Sequence, residues 1–157
     1  MRELRAIALD VDGVLTDGGF WWGPNGEEWK RFCFADIMGV SLALKAGLNV
    51  TLISGEDSPL VDRYAAKFQL TDITKGCKDK AQALRAYAER NSCELRHICF
   101  MGDDVNDLPA MAIAGLAAAP ANAHPQALAK AQFIATRNGG NGAVRELVDA
   151  ILAARIA

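Results

Sequence analysis

Two aspartates, Asp10 and Asp12, stand at the end of an apolar run in Leu9-Asp10-Val11-Asp12-Gly13-Val14-Leu15-Thr16-Asp17-Gly18. Side chains two residues apart on extended chain leave on the same side. One carboxylate can therefore attack an electrophile while the other donates or accepts a proton. A second acidic cluster, Gly102-Asp103-Asp104-Val105-Asn106-Asp107, closes another apolar run, residues 98–101. Carboxylates gathered from two such ends form a donor set for a hard divalent cation such as Mg2+. That cation offsets the charge when a carboxylate approaches a phosphate. The chemistry these residues suit is metal-assisted phosphoryl transfer. Asp10 would be nucleophile and metal donor, Asp12 general acid and base, Asp103 the other metal donor, and a backbone carbonyl near Asp12 a third. Ser54 and the amides around Gly13 and Gly55 suit phosphate oxygens. A lysine must balance the remaining charge. Lys80, opening a helix after Gly76, is the first candidate, with Lys75 and Lys78 as alternatives.

These residues need a scaffold that brings distant segments to one edge. Leu4 to Leu9 reads as a buried strand ending at Asp10. Aromatic segments flank Gly23-Pro24-Asn25-Gly26, which has turn chemistry, so residues 18–34 read as a β-hairpin. Asp36 is placed to cap a helix running to Ala46 and stopped by Gly47. Val50 to Ile53 reads as a second buried strand, ending at Ser54. Asp57 or Ser58 then caps a helix with Pro59 in its first turn and an apolar stripe of Leu60, Val61, Tyr64, Ala65 and Phe68. A short strand at 72–74, a helix at 79–90 and a strand at 98–101 follow. After them come a helix, a short strand (115–118), a short helix (123–130), a strand (132–135) and a last helix at 142–155. Alternating strands and helices define an α/β fold with a parallel sheet covered on both faces. In such sheets ligands sit at the carboxyl ends of the strands, where Asp10, Ser54 and Asp103 all fall.

The chain has 157 residues, 51% of them hydrophobic and 23% charged, with a net charge of -2. That fits one globular domain spanning 1–157. No basic surplus draws it to nucleic acid or an anionic membrane. Its longest apolar run, residues 110–119, is too short to span a membrane, and the charged start carries no secretory signal. Cys33, Cys77, Cys93 and Cys99 form no C-x-x-C pair, which points to reduced thiols in a cytoplasmic protein. His97 and His124 read as structural residues.

The combination Asp-x-Asp-Gly-Val-x-Thr-Asp-Gly, Ser-Gly, Lys and Gly-Asp-Asp-x-Asn-Asp resembles the haloacid dehalogenase superfamily, and nearly the whole chain is similar to its small branch without a cap domain. Ala123-His124-Pro125 and Gly139-Gly140-Asn141-Gly142 match that branch's C-terminal pattern. The resemblance implies a Rossmann-like three-layer fold with a hairpin flap and a Mg2+-dependent phosphatase acting through an aspartyl-phosphate. It implies the roles above for Asp10, Asp12, Asp103, Ser54 and Lys80. Asp104, Asn106 and Asp107 become supporting residues, with Asn106 near substrate. Asp12 favours hydrolysis, since transport ATPases of the superfamily carry Thr at that position.

The branch includes phosphatases of 3-deoxy-octulosonate 8-phosphate and of 3-deoxy-nonulosonate 9-phosphate. Octulosonate enzymes typically show Gly-Arg where this chain has Gly55-Glu56. Glu56 with Lys67 resembles the nonulosonate enzymes, so a nonulosonate 9-phosphate is the first expectation and the octulosonate ester the alternative. Eleven residues of helix rise about 16 Å. Glu56 and Lys67 are therefore expected to meet only across subunits. The resemblance implies the assembly, a homotetramer in which the hairpin of each subunit helps close a neighbour's site. Two rivals remain. A phosphorylated receiver domain would need an acceptor Asp ending a later strand, and residues 50–55 contain none. A noncatalytic assembly domain, of the kind fused to sugar-acid cytidylyltransferases, would not need the intact site residues.

Overall fold

The computed structural model describes residues 1–156. Its centre is a five-stranded, all-parallel sheet in the order β4-β1-β5-β6-β7, formed by β1 (Ala6–Leu9), β4 (Asn49–Leu52), β5 (Ile98–Met101), β6 (Leu116–Ala119) and β7 (Phe133–Ile134). β1 alternates by size. Ile7 and Leu9 enter one apolar core, while Ala6 and Ala8 enter the other. The first core is closed by α1 (Phe34–Lys45), α2 (Pro59–Lys67) and α6 (Ala143–Ile156). The second is closed by α3 (Lys80–Arg90), α4 (Leu108–Ile113) and α5 (Pro125–Lys130). Helices on both faces give the three layers expected of the sequence. Among the described residues no separate cap domain stands over the strand ends. A hairpin of β2 (Trp21–Trp22) and β3 (Glu28–Trp29) follows β1 directly.

Three local expectations need correction. Asp36 does not cap its own helix: α1 begins at Phe34 with Cys33 at the cap position and no side-chain bond there. Instead the buried Asp36 carboxylate accepts the amides of Gly142 and Arg145, each at 3.0 Å. It thus caps α6 from the other end of the chain, satisfying amides that the helix itself leaves open. Second, residues 72–74 form no strand. Thr74 makes only an isolated parallel bridge to Ile53. Third, single-turn 3-10 helices at Leu95–His97 and Val105–Asp107 stand before and after β5, where the sequence pattern marked none. Of the two cap candidates for α2, Ser58 takes the position, its hydroxyl accepting the Leu60 amide at 3.3 Å.

Candidate active site

The strand ends assemble the acidic residues as expected. The Asp10 amide donates to the Met101 carbonyl at 3.0 Å, and the Gly102 amide donates to Ala118 at 3.1 Å. This ladder fixes the exits of β1 and β5 side by side, so Asp10 and Asp103 face a shared cavity of about 260 Å³. Asp12, Gly13, Phe20, Gly55, Glu56 and Lys80 also line it, with Asp104 and Asn106 at its rim. Gly13 has φ of +86°, and a side chain there would overlap the Asp103 carboxylate. Only glycine lets the two acidic loops approach this closely.

Lys80 is the organising cation. Asp79 caps α3 by accepting the Gln82 amide at 2.9 Å, which places Lys80 on the first turn. A cation at a helix N-terminus opposes the helix dipole; here two carboxylates offset that. The ammonium lies 2.9 Å from Asp10 Oδ1 and 2.6 Å from Asp107 Oδ1, and the whole residue is buried. Burial disfavours the ammonium, but Asp10 and Asp107 outweigh this and hold its pKa above the ordinary lysine value. Lys75 is engaged elsewhere, with Asp57 at 2.8 Å and Asp62 at 2.7 Å.

Asp107 braces the site. Its Oδ1 takes the Lys80 ammonium, and its Oδ2 accepts the amides of Asp103 and Asp104 at 2.9 and 3.1 Å. Asp104 caps the short 3-10 turn by accepting the Val105 amide at 2.7 Å. Carboxylate oxygens of Asp10, Asp103 and Asp107 lie within 4.8 Å of one another. Since both Asp107 oxygens are engaged, Asp10 and Asp103 are the open donors. Burial, then the charge of Asp107, pushes Asp10 up to about 8 and Asp103 up to about 7, with Lys80 only partly opposing. Two hard oxygen donors crowded into such a site suit a doubly positive ion with oxygen preference.

Other expected residues are placed less directly. Ser54 is buried beneath the cavity, its Oγ accepting the Glu56 amide at 3.1 Å, while Gly55 and Glu56 form the lining above it. The Gly13 amide already donates to Thr16 Oγ1 at 3.3 Å, so in this conformation it is a loop-shaping group rather than an open phosphate donor. Lys67 is not brought to Glu56. It borders a separate cavity with Trp29, Phe32 and Tyr64. His124 serves α5, its Nδ1 accepting the Gln126 amide at 3.2 Å. The residue that sequence reasoning missed is Lys30 of the hairpin, whose ammonium lies 2.9 Å from Asp12 Oδ1 and 3.0 Å from Oδ2. Its one sequence signal is a lysine on the hairpin that directly follows the Asp-x-Asp segment.

A parallel α/β sheet with an Asp-x-Asp strand end, a lysine-bridged acidic loop and a hydroxyl residue on three adjacent strand ends is the framework expected of the haloacid dehalogenase-like hydrolases. The chain belongs to the haloacid dehalogenase-like hydrolases, whose family pattern matches residues 52–147. It is 37% identical to the 3-deoxy-D-manno-octulosonate 8-phosphate phosphatase of Escherichia coli, over 98% of this chain and 82% of the relative. The fold superposes with a TM-score of 0.96 on the same phosphatase of Moraxella catarrhalis in complex with magnesium, phosphate and KDO, at 35% identity, covering 99% of this chain and 89% of that one. A cobalt-bound form from Haemophilus influenzae matches with a TM-score of 0.95 and 32% identity, over 98% of this chain and 90% of that one. The expected superfamily, phosphate-monoester hydrolase class and Mg2+ dependence are borne out. The named relatives act on the octulosonate ester, which favours the alternative expectation for substrate over the first. Among the described residues no helix is long and apolar enough to cross a membrane.

Proposed function

We propose that this chain hydrolyses the terminal phosphate ester of a 2-keto-3-deoxy sugar acid, with 3-deoxy-octulosonate 8-phosphate as the best-supported substrate. The observation that carries the catalytic reading is Lys80 seated between Asp10 and Asp107, with Asp103 alongside, at the mouth of β1 and β5. Asp10 attacks phosphorus, and a carboxylate–phosphorus bond forms as the bond to the sugar oxygen breaks. Asp12 gives that oxygen its proton, then takes a proton from the water that splits the aspartyl-phosphate and frees Asp10. Lys80 holds Asp10 Oδ1 and opposes negative charge at the phosphate. The Ser54 hydroxyl and the Gly55 amide receive phosphate oxygens, and Asn106 borders the substrate. Asp10 and Asp103, with the Asp12 carbonyl, would hold Mg2+, which supplies the positive charge that lets a carboxylate approach an anion.

A nonulosonate 9-phosphate is the second reading, since Glu56, the residue that with Lys67 resembles the nonulosonate enzymes, lines the cavity. On that reading Lys67 reaches the substrate from a neighbour, in a homotetramer joined through the hairpins. Trp22 is 78% exposed and Phe34 71%, and an apolar surface of that kind suits a protein partner. Phosphate release with Mg2+ from octulosonate 8-phosphate, nonulosonate 9-phosphate, N-acetylneuraminate 9-phosphate and hexose phosphates tests the whole reading, with Asp10→Asn as the inactive control. A hexose phosphate turned over faster than every sugar-acid ester overturns the substrate class. Glu56→Arg should then raise the octulosonate-to-nonulosonate ratio of kcat/KM; an unchanged ratio removes Glu56 from specificity.

A further inference from the structure

Lys30 follows β3 on the hairpin, and its side chain is wholly buried. Lysine almost never loses all exposure unless its charge is paired. Fixing its long stem costs rotamer entropy, and desolvating the ammonium costs more. Its partners are few. Both Asp12 oxygens lie within 3.0 Å, Glu28 lies at 3.5 Å, and the Phe20 ring centroid is 4.5 Å away. Asp12 is less enclosed, its side chain 22% exposed. Apart from Lys30, no side chain in the described residues holds the Asp12 carboxylate by a hydrogen bond or ion pair. The hairpin therefore rests on the site through the residue that moves the proton.

We propose that Lys30 is a positioning residue for Asp12, fixing the carboxylate in the one orientation from which it exchanges a proton with the ester oxygen. The proposal rests on the acid–base role of Asp12 given above. With Oδ2 hydrogen-bonded to the ammonium and Oδ1 buried beside it without a hydrogen-bond partner of its own, the carboxylate loses that ion pair if it swings about its terminal torsion toward solvent. Misplacing a reacting group by about 1 Å costs up to about a hundredfold in rate. The effect should appear wherever the leaving group needs a proton and vanish where it does not.

The test compares kcat/KM for octulosonate 8-phosphate, or the fastest alkyl ester of the substrate panel, with kcat/KM for 4-nitrophenyl phosphate. The nitrophenolate leaves without an acid, and kcat/KM is blind to later breakdown of the phosphoenzyme. Lys30→Met should lower the alkyl value about tenfold or more, within the range of lost acid catalysis, and leave the aryl value within about twofold. Equal loss on both esters, or loss on neither, overturns the proposal. Should Lys30→Met leave Asp12 unpaired and the protein unfolded, the Asp12→Asn/Lys30→Met double variant carries no orphaned charge. It should match Asp12→Asn alone, because Lys30 acts only through Asp12; a further additive loss refutes this. A wild type that hydrolyses no ester sinks the catalytic reading and this proposal together. An active wild type silenced by Asp10→Asn, with ester selectivity intact in Lys30→Met, sinks only the proposal.

Discussion

Lys80→Met removes the cation on which the acidic cluster depends. Its ammonium lies 2.9 Å from Asp10 and 2.6 Å from Asp107, and all three residues are buried. With an effective dielectric near 20, each contact is worth about 6 kcal/mol of Coulomb attraction. Desolvation consumes much of that, and breaking one side of a buried pair typically costs about 3–5 kcal/mol. Against a total stability of about 5–15 kcal/mol, the variant should fold but melt early. The loss must also depend on pH. Asp10 and Asp103 have folded pKa values raised above their ordinary range, to about 8 and about 7. The folded state therefore binds more protons than the unfolded one between roughly pH 4 and 8, and stability falls as pH rises through that window. Lys80 opposes both shifts, so its removal raises them further and steepens the fall. Urea unfolding in EDTA at about pH 5.5 and about pH 8 reads this directly. The variant should lose about 3–5 kcal/mol at the higher pH and clearly less at the lower, and adding Asp107→Asn should recover part of it. A loss under about 1 kcal/mol at the higher pH, or the same loss at both, refutes the reasoning.

In the wild type, Mg2+ should raise the melting temperature more at pH 8 than at pH 5.5, since the ion competes with protons for Asp10 and Asp103; a shift independent of pH counts against that donor pair. Asp36→Ala should cost about 2 kcal/mol in a urea titration, because it leaves the start of α6 without its cap, whereas a cost within about 0.5 kcal/mol would mean the Gly142 and Arg145 amides find other acceptors. Trp21→Ser with Trp22→Ser should reduce the molar mass measured by light scattering if the hairpin is the tetramer contact, and a wild type already monomeric at micromolar concentration would falsify that assembly.

The site was legible in the sequence to the extent that it sits at strand ends. Asp10, Ser54 and Asp103 each follow an apolar run that stops abruptly, and a parallel sheet delivers such stops to one edge. Lys80 was legible because few lysines open a helix just after a glycine turn. Lys30 was not. It stands in Glu27-Glu28-Trp29-Lys30-Arg31, a charged stretch that reads as a solvated hairpin arm, and its burial depends on where the flap lands. Asp36 misled for a related reason. A local capping rule assigns it to the nearest helix, yet its amide partners are more than one hundred residues away, on α6. Three-residue 3-10 turns carry no periodicity, so the sequence marked Asp107 of the Val105–Asp107 turn as a supporting residue without saying what it supports. Only the paired amides of Asp103 and Asp104 show the brace.

These long-range contacts share a direction. Asp10 and Asp12, the proposed nucleophile and acid–base residue, lie within the first dozen residues, but nearly every group that holds them arrives later. Lys30 comes from the flap, Lys80 from α3, Asp107 from the loop after β5, and Gly139 from the segment before α6, where a side chain would overlap the Gly13 carbonyl. Arg31 extends the same pattern, bonding Asp17 at 3.2 Å and the Gly140 carbonyl at 3.1 Å, so one flap residue ties the Asp-loop to the C-terminal loop. The Asp-x-Asp segment therefore acquires its catalytic geometry only once the sheet is complete. On the proposed roles, proton-transfer geometry and fold stability draw on the same few ion pairs, whereas Glu56, exposed at the cavity wall and free of such pairs, can change with little cost to either. With Glu56 touching substrate as proposed, specificity is the property most readily altered in this scaffold, and the chemistry the least.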